Sequence, residues 1–293
     1  MSIKKGIYAA SMTVINKDLS VNIDSTIEHS ERLIQQGCHG VVIGGSTGMS
    51  QLISSKEKRK LIEKMSASKF IDNFIFGTGA NSINENVQLM KHCIQNGINK
   101  FLIMPSAYYK YNDDGAYAFY ANIIERVPQS EIILYNFSKL SGYSFSIKII
   151  EKLVKDFEKQ IVGIKDSDYQ VYDKIKIPNF MIFPGSETKL LKGLELGNSG
   201  IISAICNVTA PLARKVYDDF HNKKKQTFNE RLCAIRRVFD KNNLISGLHS
   251  FMSIEDEKYK IVLPPLSLLT KEQEKQMIQE LKILDFYPEK KAA

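Results

Sequence analysis

Gly40-Val41-Val42-Ile43-Gly44-Gly45 runs without a polar interruption into Ser46-Thr47-Gly48, and Ser54-x-x-Glu57 opens the next segment. An apolar, β-branched run with no in-out alternation suits a strand covered on both faces. Ser-x-x-Glu is a capping box that starts a helix, and Gly37, just upstream, stands where the preceding helix should end. The stretch therefore reads helix, strand, turn, helix, which is one βα unit of a parallel sheet. The same grammar repeats on both sides of it. Strands are expected at Ile7–Val14, Gly40–Gly45, Asn73–Gly77, Lys100–Met104, Glu131–Tyr135, Ile161–Lys165, Phe180–Pro184 and Gly200–Ala204. Ser82-x-x-Glu85 and Gly97 punctuate the helices between them. Eight parallel strands is the number that closes a (β/α)8 or TIM barrel, so the expected class is α/β. The seventh and eighth strands follow at spacings of about 19 residues, which leaves room for helices of only about two turns.

After residue 220 the strand signal stops. Lys225–Lys241 and Lys271–Leu284 read as helices, the second opening with Thr270-x-x-Gln273 after the break at Leu263-Pro264-Pro265. The expected organisation is a barrel over residues 1–220 with a C-terminal helical extension over 221–293, with no linker or fixed-period repeat between them. Of 293 residues, 43% are hydrophobic and 25% charged, which supports a large core and excludes a disordered or fibrous chain. No apolar run nears the roughly 18 residues that span a bilayer. Met1–Gly6 carries two lysines with no apolar stretch behind them, so a soluble, cytoplasmic protein with no membrane partner is expected.

A net charge of +8 raises the question of nucleic acid, but the basic residues are scattered, Lys223–Lys225 being the densest run; no nucleic-acid partner is expected. Cys38, Cys93, Cys206 and Cys233 lie far apart with no C-x-x-C pair and read as buried apolar residues. Histidines 29, 39, 92, 221 and 249 all fall away from strand carboxyl ends, and neither a phosphate loop nor a dinucleotide fingerprint is present. Neither a metal nor a cofactor is expected.

A parallel barrel presents its chemistry at the carboxyl ends of its strands. Val162-Gly163-Ile164-Lys165-Asp166-Ser167 puts a lysine at such an end. Burial disfavours an ammonium ion, and a free amine can attack a ketone to form a Schiff base; a lysine whose head simply snorkels into water is the plainer reading. Asp166 should face the opposite side of the strand. Ile132-Ile133-Leu134-Tyr135-Asn136 brings a phenol to the same rim, where it can relay protons with help from neighbouring donors or just pack its ring. In Ser46-Thr47-Gly48, backbone N–H groups and two hydroxyls can hold a carboxylate, although a generic tight turn has the same composition. Tyr108-Tyr109, in the loop after the fourth strand, is an aromatic pair where packing needs it least.

Taken together these pieces resemble the pyruvate-dependent Schiff-base aldolases, the family of dihydrodipicolinate synthase, N-acetylneuraminate lyase and 2-keto-3-deoxygluconate aldolase. In order, Ala10-x-x-Thr13 is similar to the family's A-x-x-T-P with Val14 in place of proline, Gly45-Ser46-Thr47-Gly48 to G-[ST]-T-G, and Tyr108-Tyr109 to its tyrosine pair. Tyr135-Asn136 is similar to Y-N, Gly163-Ile164-Lys165-Asp166-Ser167 to G-[IV]-K-[DE]-[ST], and Gly200-Ile201-Ile202-Ser203 to G-x-I-S. The resemblance implies that Lys165 forms the enamine with pyruvate and that Tyr135 is the acid–base residue. It implies that Ser46, Thr47 and Gly48 bind the pyruvate carboxylate and that the backbone at Ile202 lines the same pocket. Ser46 and a tyrosine from a neighbouring subunit, best matched by Tyr109 with Tyr108 as the alternative, would complete a proton relay in a homotetramer. The implied partners are pyruvate and a small aldehyde or 2-oxo acid.

Departures from the family pattern bear on the substrate. Leu140 stands where dihydrodipicolinate synthase has an arginine for the aldehyde's carboxylate, and losing such a partner at a buried site costs about 2–5 kcal/mol. Lys139, one position earlier, would point to the other face if the segment is extended, whereas a loop could redirect it. Met49, Ser167 and Gly185-Ser186-Glu187 resemble the ketodeoxygluconate aldolases, the last two as contacts to substrate hydroxyls. The expectation is an aldolase or lyase for a 2-keto-3-deoxy sugar acid. The alternatives are 4-hydroxy-tetrahydrodipicolinate synthase, N-acetylneuraminate lyase, a keto-deoxy-sugar-acid dehydratase and, from another class, a non-catalytic scaffold marked by salt-sensitive nucleic-acid binding.

Overall fold

The apolar runs form β1 (Gly6–Ala10), β2 (Gly40–Ile43), β3 (Phe74–Gly77), β4 (Lys100–Ile103), β5 (Glu131–Asn136), β6 (Ile161–Asp166), β7 (Met181–Pro184) and β8 (Gly200–Ser203). These come from a computed structural model, in which the structure describes residues 2–288. Each strand pairs in parallel with its sequence neighbour from β1 to β7, and β1 also pairs with β8. No ladder joins β7 to β8; Ser199 N–H donates to the Ile182 carbonyl at 2.9 Å across that seam. The result is a nearly closed (β/α)8 barrel with a helical C-terminal part. Side chains such as Tyr8, Val42, Ile75, Leu102, Ile133, Phe183 and Ile202 fill its interior, and a larger apolar layer lies between strands and helices.

The capping box at Ser54 and Glu57 is complete, as is the one at Thr270 and Gln273. Ser82 accepts from the Glu85 amide, but the Glu85 carboxylate accepts from Ser55 rather than returning the bond, so this cap is one-sided. Gly37 and Gly97 both take φ above zero just past a helix end, the conformation that suits glycine there. All four cysteines are free and buried.

Two expectations need correction. The first strand stops at Ala10 rather than Val14 because the next backbone donors leave the sheet: Met12 N–H goes to Asn207 Oδ1 at 3.1 Å and Val14 N–H to Thr26 Oγ1 at 3.0 Å. The side chains of Met12 and Val14 pack instead under the C-terminal helices, with Phe239, Leu248 and Tyr259. Between β6 and β7 no helix forms among residues 167–180, whereas the β7–β8 connection does carry a short one, Leu190–Glu195. Asp166, fully buried, organises the helix-free connection: its carboxylate accepts from the amides of Asp168, Tyr169, Val171 and Tyr172 and from Asn136 Nδ2. One anion thus satisfies four backbone donors that a helix would have satisfied itself.

The C-terminal part comprises helices Asn229–Phe239, Leu244–Glu255 and Lys271–Ile283. A buried polar knot ties it to the barrel. His29 Nδ1 accepts from the Tyr259 hydroxyl and Nε2 donates to Asn207 Oδ1, each at 2.8 Å, while Asn207 Nδ2 donates to the carbonyls of Ala10 and Ala204. Burial drives His29 down to a pKa of about 3, so the ring stays neutral and structural.

Candidate active site

Lys165 and Tyr135 are register partners at the carboxyl ends of β6 and β5. Both are 5% exposed, and Lys165 Nζ lies 4.2 Å from the centroid of the Tyr135 ring. Ile164 packs into the layer outside the barrel and Asp166 faces its own loop, so alternation along β6 turns Lys165 inward. Among the described residues no carboxylate is paired with Lys165. An unpaired amine against a phenol, at the bottom of a pocket, is a constellation for carbonyl chemistry.

The pocket is a cavity of about 430 Å³ over the carboxyl ends of the strands. Ser46, Thr47, Tyr135, Lys165, Ser167 and Gly185 line it from the barrel, and Phe137, Lys139, Leu140 and Tyr169 from loops. Ser46–Gly48 forms a 3-10 turn, and the Ser46 Oγ is buried with no hydrogen-bond partner among the described residues. Such an orphan is costly unless something else supplies its partner. Gly48 supports this turn from outside the cavity: its carbonyl accepts from the Thr13 hydroxyl at 2.7 Å, and a Cβ here would meet Thr13 Oγ1 at 2.9 Å. Gly185 is needed by Ser167, whose Oγ would sit 2.3 Å from an added Cβ.

Several expected residues lie elsewhere. Ile202 is buried in the barrel interior and does not line the cavity. Tyr108 and Tyr109 are 90% and 74% exposed, edge to face at 5.1 Å, away from the cavity of their own chain. Met49 is buried, its sulfur accepting from Leu263 N–H at 3.4 Å, so it fixes the C-terminal segment. Glu187 does not line this cavity either; fully buried, it accepts from Ser203 Oγ at 2.7 Å and Arg236 Nη1 at 2.9 Å. Lys139 does not point away from Leu140: Ser138–Ser141 is a helical turn, not an extended segment, and both side chains line the cavity.

Sequence reading missed one wall altogether. Arg236, Asp240, Asn243, Leu244 and Ile245, all in the C-terminal part, complete the cavity. Arg236 and Asp240 stand four apart, in the last turn and at the C-cap of a helix, the spacing of an ordinary surface pair, and only the docking of that helix onto the barrel brings them inward. Among the described residues no group of three His, Cys, Asp or Glu side chains is placed to hold a metal ion, and no helix is long and apolar enough to cross a membrane.

The model of the Dihydrodipicolinate synthetase family matches residues 4–284, and the chain belongs to that family, whose members are pyruvate-dependent lyases and synthases. Among its relatives an uncharacterized DapA-like lyase of Thermococcus onnurineus is 27% identical over 94% of this chain and 98% of its own length. An N-acetylneuraminate lyase of Fusobacterium nucleatum is 27% identical over 84% of each chain. The fold is shared with YagE, a prophage protein of E. coli K12 of the dihydrodipicolinic acid synthase family solved in complex with pyruvate: TM-score 0.88, 20% identity, 97% of this chain and all of that one covered.

Proposed function

We propose that this protein is a class I aldolase or lyase in which Lys165 forms a Schiff base with pyruvate and the resulting enamine adds to, or is released from, an aldehyde. The observation that carries the reading is the buried Lys165 amine against the Tyr135 ring, in one cavity with a Ser46 hydroxyl that, like the amine, has no polar partner among the described residues. The amine attacks the keto carbon, Tyr135 passes the proton to the departing hydroxyl, and water leaves the carbinolamine to give the iminium. Loss of a methyl proton gives the enamine, whose carbon bonds to the aldehyde, and water then releases the product and restores the lysine. Ser46 and Thr47 hold the pyruvate carboxylate, which supplies the Ser46 hydroxyl with an acceptor. The exposed Tyr108-Tyr109 pair suits donation to a second copy, with Tyr109 completing the relay in a cytoplasmic homotetramer.

The aldehyde we favour is the sugar-acid type, because Leu140 lines the cavity where a carboxylate-binding arginine would serve the synthase. Lys139 in the same cavity favours a second reading, a synthase using aspartate semialdehyde with this lysine as the carboxylate's partner. Borohydride reduction with pyruvate should add a pyruvyl mass to the peptide containing Lys165; an unmodified protein defeats the mechanism. A screen of aldehydes with pyruvate, read by product mass, then separates the two substrates.

A further inference from the structure

The cavity wall supplied by the C-terminal part has a chemistry that the Schiff-base steps leave unused. Arg236, 5% exposed, reaches across the β7–β8 seam: its Nη1 donates to Glu187 Oε2 at 2.9 Å, to Ser203 Oγ at 3.1 Å and to the Gly185 carbonyl at 3.3 Å. Its Nε donates to Asp240 Oδ1 at 2.8 Å. Burial works against the guanidinium's charge, but Glu187 and Asp240 more than offset it, and the pKa stands above the usual arginine value. A charged clamp thereby fixes one oxygen of Asp240. Among the described residues the other, Oδ2, takes no hydrogen bond, and Asp240 lines the cavity half-exposed.

A carboxylate held by one oxygen is an acceptor of set direction, which takes hydroxyl donors and repels other carboxylates. Asn243 beside it spends Oδ1 on the amides of Ile245 and Ser246, so its NH₂ is the group left to donate. Ser167 and Tyr169 add hydroxyls, and burial raises the Tyr169 pKa, which keeps that phenol a donor. Acceptor, amide donor and two hydroxyls lining one cavity match a run of vicinal hydroxyls.

We infer that Asp240 is a specificity-determining residue that accepts hydrogen bonds from hydroxyls at the end of the aldehyde remote from Lys165, so that the partner of pyruvate is polyhydroxylated rather than alkyl or carboxylate-ended. This rests on the Schiff-base reading. The test compares wild type with Asp240→Asn in aldol addition of pyruvate to erythrose, to butanal and to succinic semialdehyde, which share a four-carbon skeleton. The variant keeps the oxygen that meets Arg236. Its kcat/KM for erythrose falls about tenfold relative to that for butanal, for the loss of one charge-assisted bond, and that for succinic semialdehyde rises relative to butanal. An equal loss on erythrose and butanal, or no change in their ratio, overturns the assignment. Borohydride trapping with pyruvate alone is run on the same samples. Trapping with an unchanged ratio defeats Asp240 only, whereas no trapping in wild type defeats the Schiff-base reading and this inference with it.

Discussion

Lys100 and Lys165 sit at opposite ends of the same barrel, the first opening β4 and the second near the end of β6, and each is 5% exposed. Their surroundings differ. Lys100 donates to the Asp72 carbonyl, feels the carboxylates of Asp72 and Glu131, and borders a cavity of only about 190 Å³. Lys165 has an aromatic face, no ion-pair partner among the described residues, and a cavity more than twice as large. Burial alone therefore does not mark a reactive lysine. What distinguishes one is burial without the partners that folding would otherwise supply, beside space for a ligand that brings them.

The largest effect that can break this comparison is at the lysines themselves. Lys165→Ala should abolish pyruvate trapping and lower kcat by at least about 10⁴-fold, as expected for removal of a covalent nucleophile. Lys100→Met should trap pyruvate as wild type does. If the two variants behave alike in a mass-spectrometric trapping assay, the distinction drawn from their partners is wrong.

Next in size is Tyr135→Phe, which keeps the ring against Lys165 and removes only the hydroxyl. A drop in kcat of about 10²–10⁴-fold is expected for the loss of a proton relay. An unchanged kcat would make Tyr135 a packing residue, the role Tyr8 has in the barrel interior. Ser46→Ala should be milder, raising KM for pyruvate by about 10–100-fold as one bond to a carboxylate is lost. Because the Ser46 hydroxyl has no partner among the described residues, the same variant should not lose thermal stability; a lowered Tm would mean that the hydroxyl has a partner before pyruvate arrives.

The barrel was legible in the sequence because its determinants are local: Val41-Val42-Ile43 can be covered on both faces only in a parallel sheet, and Ser54 with Glu57 caps a helix wherever that helix packs. The strand-end positions of Lys165 and Tyr135 were legible for the same reason, but neither residue alone marked a site, and their pairing was read from the family resemblance. The β6–β7 connection was not, because a tertiary anion, Asp166, replaces the helix there. Nor was the wall built by Arg236 and Asp240, whose inward direction is set by how a distant helix docks and not by its own periodicity. The direction of Lys139 stayed open in the sequence because it depends on whether Ser138–Ser141 is extended or, as here, a helical turn.

The smallest expected effect sharpens the comparison from the Lys100 side. Burial pulls the Lys100 pKa below its ordinary value, against the opposite pull of Asp72 and Glu131. In the unfolded chain the amine keeps its proton up to about pH 10.4. Between the lowered folded value and that point the unfolded state binds more protons, so stability rises with pH across the window; below it the buried charge imposes its full cost. Lys100→Met has no such proton to lose. Thermal melts of both proteins from about pH 8 to about pH 10.5 should therefore show wild-type Tm gaining on the variant as pH rises. A wild-type Tm that falls relative to the variant as pH rises would mean that Asp72 and Glu131 outweigh burial and that Lys100 is an ion-paired residue. The contrast with Lys165 would then rest on its salt partners rather than on how each site spends the same exclusion from water.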